Sequence, residues 1–216
     1  MKELKMVLFL GGGGDIQDSI EIDTAFFSHL IPNDKILYIP VACDFTTYEN
    51  CFVWFNSLVK KYTNIPSDNI TMLLETSAIP NLNDYKAIYI GGGNTYKLLD
   101  YICKNNLDIK FKEYLKGSGI IFGGSAGAII FGKTIETVIE EKENYPDTPA
   151  LNMVNDYAIR CHYQLQDDKL FQNLSKKIKT PIIALPENGG LKIDENNIKT
   201  IGNVFIFNNG IKSKYK

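Results

Sequence analysis

The sequence predicts an α/β fold, a doubly wound and mostly parallel sheet with helices on both faces. Three observations point there. Short apolar runs without strict alternation, most of them meeting glycine or proline, read as strands covered on both sides. Amphipathic stretches of helical length separate these runs, and repeated strand–helix–strand order makes the strands parallel. Glycine-rich turns follow the first, fourth and fifth runs, at the strand ends where ligands gather in such sheets.

The predicted strands are KMVLFL, KILYIPVA, NITMLL, AIYIGG and GIIFGG, with helical stretches near residues 20–30, 48–62, 95–105 and 110–116. Beyond Thr134 the pattern loosens. EEKENYPDTP is polar, carries two prolines and reads as an exposed loop. YAIRCHY follows as a strand, then a helix near residues 167–179, the strand PIIALPE, and the late strands LKI and NVFIF. With 216 residues, no internal repeat and no long linker, residues 1–216 are expected to form one domain.

Composition narrows the chemistry. Lys and Arg number 23 against 25 Asp and Glu, a net charge of -2 that recommends no nucleic-acid surface. There are two histidines, His29 and His162, and a single arginine, Arg160. His-rich metal sites and arginine-clamped phosphate chemistry are therefore disfavoured. Cys43, Cys51, Cys103 and Cys161 form no C-x-x-C pair and read as free thiols of a reducing compartment. The first apolar run is shorter than a signal-peptide core, and no stretch approaches the ~20 apolar residues of a membrane span. These features predict a soluble cytoplasmic protein and leave a homodimer open.

The strongest motif is Gly123-Gly124-Ser125-Ala126-Gly127, a G-x-S-x-G set between an apolar strand and an apolar helix. That context suits a nucleophile elbow: a strained turn lifts the hydroxyl above the sheet, while small flanking residues let strand and helix approach each other. The Ala126 amide would then open the helix, where it can donate to an oxyanion. The same stretch contains the string GAIIFGKT, which matches a P-loop. Its four middle positions are apolar and call for burial rather than an open phosphate-binding loop, so the match reads as chance. In Gly91-Gly92-Gly93-Asn94-Thr95, Gly92, Gly93 and Asn94 are candidates for the second oxyanion donor or for substrate contacts. Gly11–Gly14 fits no dinucleotide fingerprint and is kept as a substrate-facing loop.

A serine nucleophile needs a base. His29 lies in the apolar context FFSHLI and reads as a packed or capping residue, which leaves His162 at the end of YAIRCHY. Two carboxylates compete to orient it: Glu187 in LPENGG, directly after an apolar strand, and Glu140 in TIETVIEEKE. Cys161 adjoins His162, but neighbouring strand residues point to opposite faces, so His162 would not activate it. The same alternation puts Arg160 on the face of His162, where it could meet substrate.

Taken in order, GGGNTYKLL, GGSAGAII, CHYQ and LPENGG resemble the peptidase E (aspartyl dipeptidase) and cyanophycinase family of serine peptidases, from the first strand to about Ile193. The resemblance implies a sheet like that of class I glutamine amidotransferases, with serine replacing that fold's cysteine. It also implies hydrolysis of small peptides through an acyl-enzyme, dipeptidase-like and with N-terminal aspartyl preference, without metal or cofactor. Ser125 matches the family nucleophile, and His162, 37 residues later, its histidine. Glu140 falls where the family pattern has a charge-relay aspartate, and Glu187 matches a triad glutamate; both stay open. Arginines that follow the family histidine are replaced here by QLQDDKLFQN, leaving Arg160 or a lysine to supply acidic recognition. The alternative function is a catalytically silent homologue that binds peptides or small molecules.

Overall fold

The computed structural model describes residues 6–139, 149–194 and 197–215. Its first half alternates strand and helix: β1 (Val7–Gly11), α1 (Ile20–Phe27), β2 (Ile36–Ile39), α2 (Tyr48–Tyr62), β3 (Ile70–Met72), β4 (Ala87–Ile90), α3 (Thr95–Lys104), α4 (Leu107–Lys116), β5 (Ile120–Gly124) and the one-turn α5 (Ala126–Ile129). The second half holds β6 (Ala158–Arg160), α6 (Asp168–Ile178), β7 (Ile182–Ala184), β8 (Gly190–Asp194), β9 (Asn197–Ile201), β10 (Phe205–Asn208) and β11 (Ile211–Lys214).

The large sheet runs β3-β2-β4-β5-β1-β8-β9, parallel from β3 to β1 and closed by β8 and β9, which are antiparallel to their neighbours. Both faces of its parallel part are covered, as the unbroken apolar runs require. Leu8, Leu10, Ile39, Ile90 and Ile121 pack toward α3, α4 and α5. Phe9, Tyr38, Tyr89 and Phe122 point the other way, toward α1 and α2. Those four aromatics are register partners on adjacent strands, Tyr38 with Tyr89, Tyr89 with Phe122 and Phe122 with Phe9. Tyr89 and Phe122 stack at 4.5 Å and 5°. The result is an aromatic row across the sheet near its carboxyl edge.

Register also explains why three glycine turns meet. Ile90 and Leu10 both pair with Gly123, and Gly11 pairs with Gly124. The chain leaves β4, β5 and β1 at one level on one edge, bringing Gly91–Gly93, Ser125 and Gly11–Gly14 together.

The carboxyl-terminal part departs from expectation. β6 and β7 join a separate four-stranded sheet, β11-β10-β7-β6, packed around Phe171 and Phe207. Short polar β9 and β11 lacked an apolar signal and were not predicted. The expected helix after the elbow is a single turn, because α5 gives way to turns at Ile130. The polar loop that contains Glu140 lies outside the described residues, apart from its last proline. No helix among the described residues is long and apolar enough to cross a membrane.

Candidate active site

Ser125 occupies the turn between β5 and α5 with φ 51° and ψ −116°, a strained conformation for a residue with a side chain. Its amide donates to the Gly11 carbonyl at 3.1 Å, tying the elbow to the end of β1. The middle residues of the P-loop-like string are buried: Ala128, Ile130 and Phe131 are fully inaccessible and Ile129 nearly so. A phosphate-cradling loop is thereby excluded.

His162 follows β6 and is held by the same glycine turn, its amide donating to the Gly12 carbonyl at 2.9 Å. Ser125 Oγ lies 2.8 Å from His162 Nε2, and His162 Nδ1 lies 3.0 Å from Glu187 Oε1. β6 and β7 are parallel, and their pairing continues beyond the strands through Tyr163 N–H to the Leu185 carbonyl at 3.1 Å. This pairing holds the turns that carry His162 and Glu187 beside each other. Of the two carboxylates left open by sequence, Glu187 faces the imidazole, while Glu140 lies outside the described residues.

Several expectations need correction. The strand alternation used for Arg160 fails, because β6 ends at Arg160 and His162 has a left-handed φ of 52°. Arg160 is 7% exposed and does not line the cleft. Its guanidinium carbon lies 5.3 Å from the Phe171 ring centre, and Nη1 donates to the Thr137 carbonyl at 3.3 Å. Asn94 is likewise committed to structure: its amide donates to the Ala42 carbonyl at 2.8 Å, and its Oδ1 accepts from Lys97 N–H at 3.0 Å to cap α3. Gly92 and Gly93 do line the cleft, and a Cβ built on Gly92 would fall 3.0 Å from Ser125 Cβ. Ala126, the first residue of α5, directly follows the serine. Gly93 has φ 131°, open to glycine and strained for other residues.

The remaining candidates behave as packing residues. Cys161 is inaccessible, its Sγ near the Ser125 carbonyl at 3.5 Å, and burial pushes its thiol up to about 12. His29 packs edge-on to Phe9 with ring centres 5.6 Å apart, and burial together with Lys192 lowers its pKa. Among the described residues no group of His, Cys, Asp or Glu is arranged to hold a metal ion.

The cleft over Ser125 and His162 has a volume of about 710 Å³, within the usual range for small-ligand sites. Its aromatic wall comes from Tyr38, Tyr89 and Phe122 of the strand row, with Trp54 of α2. Sequence reasoning held Gly13 only as part of the substrate-facing Gly11–Gly14 loop, and it missed Asp23. Gly13 lies directly against the His162 ring, where a Cβ would stand 2.5 Å from Nε2. Asp23, on α1, lines the cleft although it is 1% exposed. A signal for Asp23 existed: it shares the buried stripe of α1 with Phe26 and Phe27 at helical spacing.

A mostly parallel sheet with a strained serine turn at its edge, Ser125 Oγ standing 2.8 Å from a histidine nitrogen, has the arrangement of a serine hydrolase. The chain belongs to peptidase family S51, whose family model matches residues 7–201. It is 26% identical to peptidase E of Shewanella sp. (strain W3-18-1) over 203 residues, 83% of each chain. Identity to peptidase E of Nostoc sp. (strain PCC 7120) is 25% over 184 residues, 80% of this chain and 74% of the relative. Among solved structures, a protein provisionally described as peptidase E from Listeria monocytogenes EGD-e superposes with a TM-score of 0.69 at 22% identity, covering 91% of this chain and 98% of that one. A peptidase from an acI-B1 actinobacterium gives 0.67 at 18% identity, covering 99% and 96%. These two likenesses show the same fold.

Proposed function

We propose that this S51 serine peptidase hydrolyses small peptides, in the manner of a dipeptidase, through a Ser125–His162–Glu187 triad. The observation that carries this reading is the line of contacts from Ser125 Oγ to His162 Nε2 at 2.8 Å and from His162 Nδ1 to Glu187 Oε1 at 3.0 Å. In the proposed cycle His162 takes the Ser125 proton as Oγ attacks the scissile carbonyl. The tetrahedral oxyanion accepts hydrogen bonds from the amides of Ala126 and Gly93. His162 then protonates the leaving amine, and an acyl-enzyme remains on Ser125. Water, deprotonated by His162, attacks that ester and regenerates the serine. Glu187 keeps the imidazole in the tautomer with Nδ1 protonated and stabilises its cation.

An N-terminal aspartyl preference has less support. It would place a carboxylate in the cleft, yet among the described lining residues there is no lysine or arginine. A panel of dipeptides with acidic, neutral and basic first residues tests the activity, with released amine as readout. Turnover of some members by the wild type and none by Ser125→Ala is expected. No turnover of any member would favour the silent binding homologue instead.

A further inference from the structure

Asp23 is a buried acid that the proposed triad does not use. Its Oδ2 accepts from Ser19 Oγ at 2.7 Å, and its Oδ1 has no partner among the described residues. A buried carboxylate left half-satisfied is costly, so its position on the wall of the catalytic cleft calls for a ligand. Tyr89 lines the same cleft, close to the turn that carries the nucleophile. A Cβ on Gly124, the residue before Ser125, would lie 3.8 Å from the Tyr89 hydroxyl. Burial first, and then the nearby Asp23 charge, hold that phenol well above its ordinary range. Tyr38, Trp54 and Phe122 complete the surroundings. Aromatic faces together with an unpaired carboxylate form a site for an organic cation, attracted by ring quadrupoles and by charge.

We infer that the cleft beside Ser125 takes a cationic group, an ammonium or guanidinium on the residue whose carbonyl is attacked, and that Asp23 is the side chain that selects it. The inference rests on the peptidase reading for the role of Ser125, and where the cation is a basic side chain it gives the cleft the opposite charge preference to an aspartyl dipeptidase. Burial raises the Asp23 carboxyl to about 6, which still leaves it ionised at neutral pH. The cation can be a basic side chain or a free α-amine; both present the same chemistry to Asp23.

Calorimetric binding to Ser125→Ala protein separates these sources. Four ligands suffice: lysinamide, Nα-acetyl-lysinamide, norleucinamide and Nα-acetyl-norleucinamide. At least one of the two singly cationic ligands should bind tenfold or more tightly than the neutral acetylated norleucinamide, and which one does so identifies the cation. Adding Asp23→Asn should reduce that preference to less than threefold. Equal binding of neutral and cationic ligands, no binding of any, or a preference that survives Asp23→Asn overturns the inference. The ligand series on protein that retains Asp23 decides the matter even if the Asn variant folds poorly. Labelling of wild-type Ser125 by a serine-directed probe is scored separately, so a cation preference without labelling would keep the Asp23 site and discard the triad. Labelling without a cation preference would do the reverse.

Discussion

Gly13 and His162 are in direct contact: the backbone of Gly13 lies so close to the imidazole that a Cβ there would stand 2.5 Å from both Nε2 and Cε1, and 2.9 Å from Ser125 Cβ. Gly13 also has φ 96°. Its turn supplies the carbonyls of Gly11 and Gly12 that accept from the Ser125 and His162 amides. One loop therefore sets the backbone of both residues and leaves no room for a side chain between them. Gly13→Ala is expected to lower kcat/KM at least 100-fold, about 2.7 kcal/mol, by displacing the imidazole. Positive-φ strain should add about 1–3 kcal/mol of lost stability, read from urea melts. Unchanged turnover would mean that the contact does not matter to catalysis.

The two glutamates separate in a simple comparison. With Glu187 beside Nδ1, Glu187→Gln should lower kcat 100-fold or more by removing the charge that stabilises the imidazolium. Glu140→Gln should stay within threefold of wild type. Steady-state kinetics on one dipeptide substrate suffice, and the reverse pattern would transfer the role to Glu140.

Asp23 predicts a pH dependence of stability. Burial, opposed in part by Ser19 and Lys61, raises its pKa from 3.8 to about 6. Between about pH 4 and 6 the folded state therefore holds the proton more tightly than the unfolded chain, and this group's contribution to stability falls as pH rises through that window. Two pK units correspond to about 3 kcal/mol. Urea melts of wild type and Asp23→Asn should diverge in favour of the Asn variant by up to that amount between pH 4 and 7. A constant difference would show that Asp23 titrates normally.

Much of this arrangement was legible in the sequence. β1, β2, β4 and β5 were readable because both of their faces are buried, which produces unbroken apolar runs that meet glycine or proline, whereas β3 lies at the sheet edge and is partly exposed. Ser125 was readable from its elbow context. His162 emerged almost by elimination, since His29 is the only other imidazole. The acid was not readable, because Glu187 and Glu140 both sit in polar segments and only the pairing of β6 with β7 brings one to His162. Arg160 was misjudged for a local reason: alternation holds only while the chain stays extended, and it turns at His162. Asp23 was not singled out, since an acid in the first turn of a helix is ordinary where the positive end of the dipole favours carboxylates. Its place beside Phe26 and Phe27 was the stronger signal.

The buried position of Arg160 makes a further prediction. Because its guanidinium rests on Phe171 and the Thr137 carbonyl, Arg160→Ala should cost about 2–3 kcal/mol of stability through lost packing and an unmet acceptor. KM for any dipeptide should remain within threefold. A selective rise in KM for acidic substrates would return Arg160 to the site.

The central claim is that Ser125 is a nucleophile activated by His162. A fluorophosphonate probe, read by intact mass and peptide mapping, tests it most directly. One adduct per wild-type chain on Ser125, none on Ser125→Ala and much slower labelling of His162→Ala are predicted. An unlabelled wild type, or an adduct that persists in Ser125→Ala, would contradict it.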